Sequence, residues 1–126
     1  AQNNNVISVL AADIQKGVID YCKKYIKNKK IKFLQSDLFK NVKGKFDWVV
    51  FNPPFNNRED KNGYRIVERL LKEAPEKTRM MIVVNAFYVN QKNVEDIIKN
   101  NNYEITDVVT GFLNPSKVYV AESSAY

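Results

Sequence analysis

The sequence predicts an α/β fold: a mainly parallel sheet with helices on both faces and a C-terminal antiparallel strand pair. Short, wholly apolar runs alternate with helical patterns, which is how a parallel sheet covered on both sides reads. Polar residues follow these runs directly, as at Asp13, Asn52 and Asn85. In open α/β sheets that position is the carboxyl rim, where ligands bind.

The first apolar run covers 6–12 and suits a buried parallel strand. Asp13 follows where an N-cap belongs. Ile14, Val18, Tyr21, Cys22 and Tyr25 are spaced as one apolar stripe, so a helix to about Asn28 with that stripe buried is expected. A strand over 31–35, a turn through Ser36-Asp37-Leu38-Phe39, and a Lys43-Gly44-Lys45 turn come next. The strand over 46–51 runs directly into Asn52-Pro53-Pro54-Phe55. Residues 56–63 are polar and glycine-ended, a loop by composition. A helix over 64–74 carries Val67, Leu70, Leu71 and Ala74 on one face, and the run 80–84 is a further strand ending at Asn85-Ala86-Phe87. Val94, Ile97 and Ile98 mark a helix over 90–100. Strands over 105–110 and 117–121, joined by 111–116, close the chain as an antiparallel hairpin.

With 126 residues and 44% hydrophobic content, the chain holds a single domain with a real core. No run approaches the roughly 18 apolar residues of a membrane helix, and the start Ala1-Gln2-Asn3-Asn4-Asn5 has no signal-peptide character. The lone Cys22 cannot form an internal disulfide, and a chain without histidine offers no Cys/His zinc site. A reducing cytoplasm is the expected compartment. The net charge of +6 favours anionic partners, nucleic acid above acidic protein surfaces. The alternative is a solvated helix end and loop, since many lysines fall between Lys23 and Lys32.

Asn52-Pro53-Pro54-Phe55 carries the most chemistry. Two successive prolines cannot continue a strand, so the chain turns with preset φ. A planar amino group at this turn can donate one hydrogen to the Asn52 side-chain carbonyl and another to the Pro53 carbonyl. Both bonds localise the nitrogen lone pair and aim it at an electrophile. Phe55 offers a stacking surface for a flat substrate. The alternative is a turn that only stops the strand.

The run from Asp13 through Ser36-Asp37 to Asp47 and Asn52-Pro53-Pro54-Phe55 resembles the Rossmann-type S-adenosylmethionine-dependent methyltransferases that modify exocyclic amino groups or side-chain amides. With Val84-Asn85-Ala86-Phe87, Thr110-Gly111 and Lys117-Val118-Tyr119, it looks most like the methyltransferase small-domain group, in particular ribosomal RNA guanine-N2 methyltransferases. The resemblance implies S-adenosylmethionine as cofactor. Asp13 would accept from its ribose hydroxyls and Ile14 pack on the adenine; Asp37 would take the adenine amino group and Leu38 flank the ring. Asn52, at the junction of cofactor and target, would hold the target nitrogen with Pro53. Pro54 would complete the rigid catalytic turn, and Phe55 would stack on the target. Read alone, Asp13 is equally a helix cap and Asp37 a turn stabiliser.

One departure stands out. The family opens with a strand ending in an Asp-x-Gly-x-Gly loop that approaches the methionine part of the cofactor, and this sequence has none: its first glycine is Gly17. The expectation is an N-terminally incomplete methyltransferase domain over 1–126. It lacks the first strand, with unpaired ladder groups or altered pairing and weak cofactor binding as the result. The expected substrate is guanine N2 of ribosomal RNA. The second reading is the glutamine amide of a release factor, whose methyltransferases carry tyrosine where Phe55 stands; adenine N6 is a third. A non-catalytic basic binding module derived from a methyltransferase is the alternative of another class. Neither membrane nor metal is expected to take part.

Overall fold

The structure is a computed structural model that describes residues 4–57, 59–111 and 115–124. The polar start at 1–3 and the middle of the 111–116 connection, 112–114, therefore lie outside the described residues. The chain forms two compact units, Ala1–Lys43 and Gly44–Tyr126.

The first unit is a parallel pair, β1 (Val9–Asp13) and β2 (Ile31–Gln35), linked by helix α1 (Lys16–Tyr25). Asp13 pairs with Gln35 in register, so both strands end together. Three expectations fail here. Asp13 is the last residue of β1 and not the helix cap; Gln15 occupies the cap position, without a side-chain cap bond. The helix stops at Tyr25, before Asn28. The stripe expected in the core faces solvent, with Ile14 61%, Val18 41%, Tyr21 64% and Tyr25 59% exposed, Cys22 half-buried, and Ile19 the buried residue of α1. A two-stranded sheet presents too little surface to cover more than a narrow strip of its helix, so periodicity alone could not say which strip.

The second unit is a four-stranded sheet ordered β3 (Trp48–Phe51), β4 (Arg79–Asn85), β6 (Ser116–Ser123) and β5 (Tyr103–Thr110). β3 and β4 are parallel, β6 is antiparallel to both β4 and β5, and a register shift falls between Ile105 and Asp107. Two helices complete it, α2 (Lys61–Glu73) and α3 (Gln91–Asn100). The terminal hairpin is as expected, with β6 inserted beside β4.

Burial along β4 alternates: Met80, Ile82 and Val84 are fully buried, whereas Met81 and Val83 are half-buried. Met80 pairs with Ala121 and Ile82 with Tyr119, both also fully buried, so these residues share one sheet face. Val67, Leu70 and Leu71 of α2 and Val94 and Ile98 of α3 supply the helical part of this core. Each such side chain contributes about 1.5–3 kcal/mol through burial. α2 begins three residues before the expected start, because Asp60 caps it from within what composition marks as loop. Past the C-cap Asn101 of α3, Asn102 takes the left-handed conformation (φ 62°) that asparagine tolerates, and its carbonyl accepts from the Ser124 backbone N–H at 2.8 Å.

Candidate active site

In the first unit, hydrogen bonds gather four of the expected site residues at the carboxyl end of β1 and β2. The Ser36 N–H donates to the Asp13 carbonyl at 2.9 Å, and the Gln35 side-chain amide donates to the Ile14 carbonyl at 3.1 Å. The Asp13 carboxylate, half-buried, accepts from the Gln15 N–H at 2.7 Å. Ser36, only 4% exposed, holds the loop that follows. Its hydroxyl donates to the Leu38 carbonyl at 2.8 Å and accepts from the Asn41 N–H at 3.0 Å. This clamp fixes Leu38 at φ 49°, a conformation that a branched side chain rarely adopts. Asp13, Ile14, Asp37 and Leu38 thus lie on one rim, two carboxylates beside two aliphatic side chains. Sequence reading passed over Ser36. Its signal, a small hydroxyl residue directly after a strand, is too common to single out.

In the second unit, β3 ends at Phe51 and the next four residues leave regular structure. Asn52 and Pro54 are exposed, Pro53 is buried and Phe55 half-buried. No described residue hydrogen-bonds the Asn52 amide group. The buried proline anchors the turn while Asn52 presents its side chain outward.

The Phe55 ring has a built seat. A Cβ on Gly63 would lie 2.4 Å from Phe55 Cδ1 and 2.6 Å from Cε1, so the ring rests on bare helix backbone. Tyr64 meets it edge-on, with ring centroids 4.8 Å apart at 65°, a favoured aromatic geometry. The Tyr64 hydroxyl accepts from the Asn90 N–H at 2.7 Å, which ties this seat to the start of α3. Asp60 secures the loop between: its carboxylate accepts from the N–H groups of Asn56 (3.0 Å), Asn62 (3.1 Å) and Gly63 (3.3 Å), and from the Asn56 amide at 3.2 Å. These bonds, led by the Asn56 N–H, hold the Asp60 carboxyl below its ordinary range. Asp60 was legible in principle as a helix cap. Gly63 and Tyr64 were not, since nothing in a lone glycine names the ring it seats.

Asn85 ends β4, the parallel neighbour of β3, so the two carboxyl ends lie side by side in this sheet. Its side-chain oxygen accepts from the Phe87 N–H at 2.9 Å, and the Ala86 N–H donates to the Pro115 carbonyl at 2.8 Å. A recess of about 270 Å³ beside it is lined by Ala86, Val89, Asn90, Gln91 and Lys92. The larger recess, about 470 Å³, runs along α3 and β5, and none of the expected site residues line it. A rigid proline turn, an exposed asparagine and a seated aromatic ring thus follow one another at a parallel strand's carboxyl end.

The profile of the methyltransferase small domain matches residues 1–110. The chain belongs to the methyltransferase small domain family. A ribosomal RNA small subunit methyltransferase C of Actinobacillus succinogenes is 34% identical over 92 residues, 68% of this chain and 27% of that relative. A release factor glutamine methyltransferase of Streptococcus pneumoniae is 36% identical over 64 residues, 49% of this chain and 23% of that protein. The chain therefore spans about a quarter of the length of these relatives. Among solved structures, the magnesium protoporphyrin IX methyltransferase of Synechocystis aligns with a TM-score of 0.69 at 16% identity, covering 93% of this chain and 60% of that one. The small domain has the Rossmann-like methyltransferase fold. No described helix is long and apolar enough to cross a membrane.

Proposed function

We propose that this methyltransferase small domain moves a methyl group from S-adenosylmethionine to an exocyclic amino group, guanine N2 of ribosomal RNA first among them. The observation that carries this reading is the exposed Asn52 amide, without a described partner, beside the buried Pro53 at the end of β3. Asn52 Oδ1 and the Pro53 carbonyl accept the two hydrogens of the target amino group and orient its lone pair. Phe55, held from behind by Gly63 and Tyr64, stacks on the base.

The rim of β1 and β2 suits an adenosyl group by its chemistry. Carboxylates only accept hydrogen bonds, which matches ribose hydroxyls at Asp13 and an adenine amino group at Asp37, while Ile14 and Leu38 supply apolar flanks. When bound, the cofactor supplies a methyl already activated on a sulfonium, so orientation is the main task left to the chain. Ser36 contributes by holding Leu38 in place. The free edge of β3, where Val50 is 66% exposed, is proposed as the place where a further strand of the methyltransferase domain pairs. The reaction belongs in a reducing cytoplasm, where Cys22 remains a thiol.

The second reading, a glutamine amide of a release factor, draws on the streptococcal relative, and the same cradle would accept an amide NH2. Radiolabelled methyl transfer to ribosomal RNA and to release factor, offered together, separates the two: label on the protein alone ends the RNA reading. Asn52→Ala is expected to lower turnover on the true acceptor about 10²–10³-fold with the circular dichroism spectrum unchanged. Turnover at the wild-type rate would remove Asn52 from the mechanism.

A further inference from the structure

The charge of this protein is not spread evenly. Ala1–Lys43 contains nine lysines, three aspartates and neither arginine nor glutamate, so the whole net charge of +6 sits in the first unit; Gly44–Tyr126 carries eleven residues of each sign. Within the first unit the signs also separate. Asp13 and Asp37 mark the carboxyl ends of β1 and β2, whereas Lys23 and Lys24 in the last turn of α1, Lys27 and Lys29 in the segment after it, and Lys32 at the start of β2 lie at the opposite end. Asp20 is the acidic residue of α1, and it is paired with Lys16. No described acidic residue pairs with the five lysines beyond it.

The same helix exposes the aromatic residues that periodicity assigned to a core. Tyr21 and Tyr25, one turn apart, have ring centroids 4.5 Å apart, and Lys24 Nζ lies 5.1 Å from the Tyr25 centroid. Gly17, a turn earlier, has nothing within 4 Å of where a Cβ would stand, so the surface beside the pair is open. Paired rings bordered by unneutralised cations are what single-stranded nucleic acid requires: π-faces for unstacked bases and ammonium groups for phosphates.

We propose that the exposed Tyr21 and Tyr25 of α1, with the lysines in its last turn (Lys23, Lys24) and in the segment that follows it into β2 (Lys27, Lys29, Lys32), bind single-stranded RNA through residues other than those of the methyl-transfer cradle. RNA is preferred to DNA because the proposal rests, for that choice, on the ribosomal RNA reading; the stacking and charge arguments stand without it. A protein segment laid on an exposed tyrosine stripe would leave five lysines unmatched, and RNA matches both features.

The test is fluorescence anisotropy with a labelled 20-nucleotide single-stranded RNA of mixed sequence, titrated over a range of NaCl. The logarithm of affinity is expected to fall with the logarithm of salt at a slope of about −3, near −0.7 per phosphate neutralised. Tyr21→Ala with Tyr25→Ala should weaken binding roughly tenfold at constant slope, while the Phe pair restores most of it. Lys23→Glu with Lys24→Glu should flatten the slope by at least about 1. Unchanged affinity and slope in folded variants overturn the proposal. So does sedimentation showing that the tyrosine variants abolish a dimer and leave RNA affinity intact, which would make a second copy the occupant. If these variants lose RNA binding while label goes only to release factor, the surface stands and the ribosomal RNA reading falls. If label reaches ribosomal RNA and the variants bind RNA normally, the reverse holds.

Discussion

Gly63→Ala offers the sharpest check on the cradle. Glycine within a helix ordinarily gains about 1 kcal/mol on replacement by alanine, and Gly63 lies in the first turn of α2. Here the added methyl would stand 2.4 Å from Phe55 Cδ1 and 3.0 Å from Cγ, more than about 1 Å inside a comfortable carbon contact. The ring must shift or the helix must move, at about 1–3 kcal/mol for overpacking. The net expectation is a protein about 1 kcal/mol less stable, with the aromatic platform displaced by about 1 Å. Misplacement on that scale lowers turnover about 10²-fold. Urea denaturation reads the first effect and methyl transfer the second. In a Phe55→Ala background the clash is gone, and the same substitution should stabilise by the usual helical amount. A Gly63→Ala protein that is more stable than wild type and turns over normally would refute the seat and the role given to Phe55.

Three further outcomes are expected. Asp60 has its carboxyl held below the ordinary 3.8 in the folded state, so its stabilisation is complete above about pH 4 and disappears as pH falls through the lowered value; the stability gap between wild type and Asp60→Asn, measured by denaturation at a series of pH values, should be constant near neutrality and close in acid. Ile82→Ala, fully buried between Phe51 of β3 and Tyr119 of β6, should cost about 2–5 kcal/mol in urea denaturation. Ser36→Ala removes the acceptor of the Asn41 N–H and the donor to the Leu38 carbonyl, at about 1–3 kcal/mol, and hydrogen exchange at the Asn41 amide should accelerate.

The order of strands and helices, the terminal hairpin and the proline turn were legible in the sequence because each rests on local chemistry. Apolar runs, a 3.6-residue period and two prolines act within a few residues of themselves. The candidate site was half legible for the same reason: Asn52 and Pro53 stand out as a strand-ending turn, as do Asp13 and Asp37 after their strands. Gly63 and Tyr64 do not, since their meaning is the ring of Phe55 several residues away in the chain and in contact only after α2 forms. The stripe on α1 shows the converse. Its period identified a helix, but whether Tyr21 and Tyr25 are core or surface depends on how much sheet lies beneath them. β1 and β2 cover little, and Ile19 takes the buried place. Local pattern thus set which elements exist, and tertiary packing decided which face of each meets protein and which meets solvent.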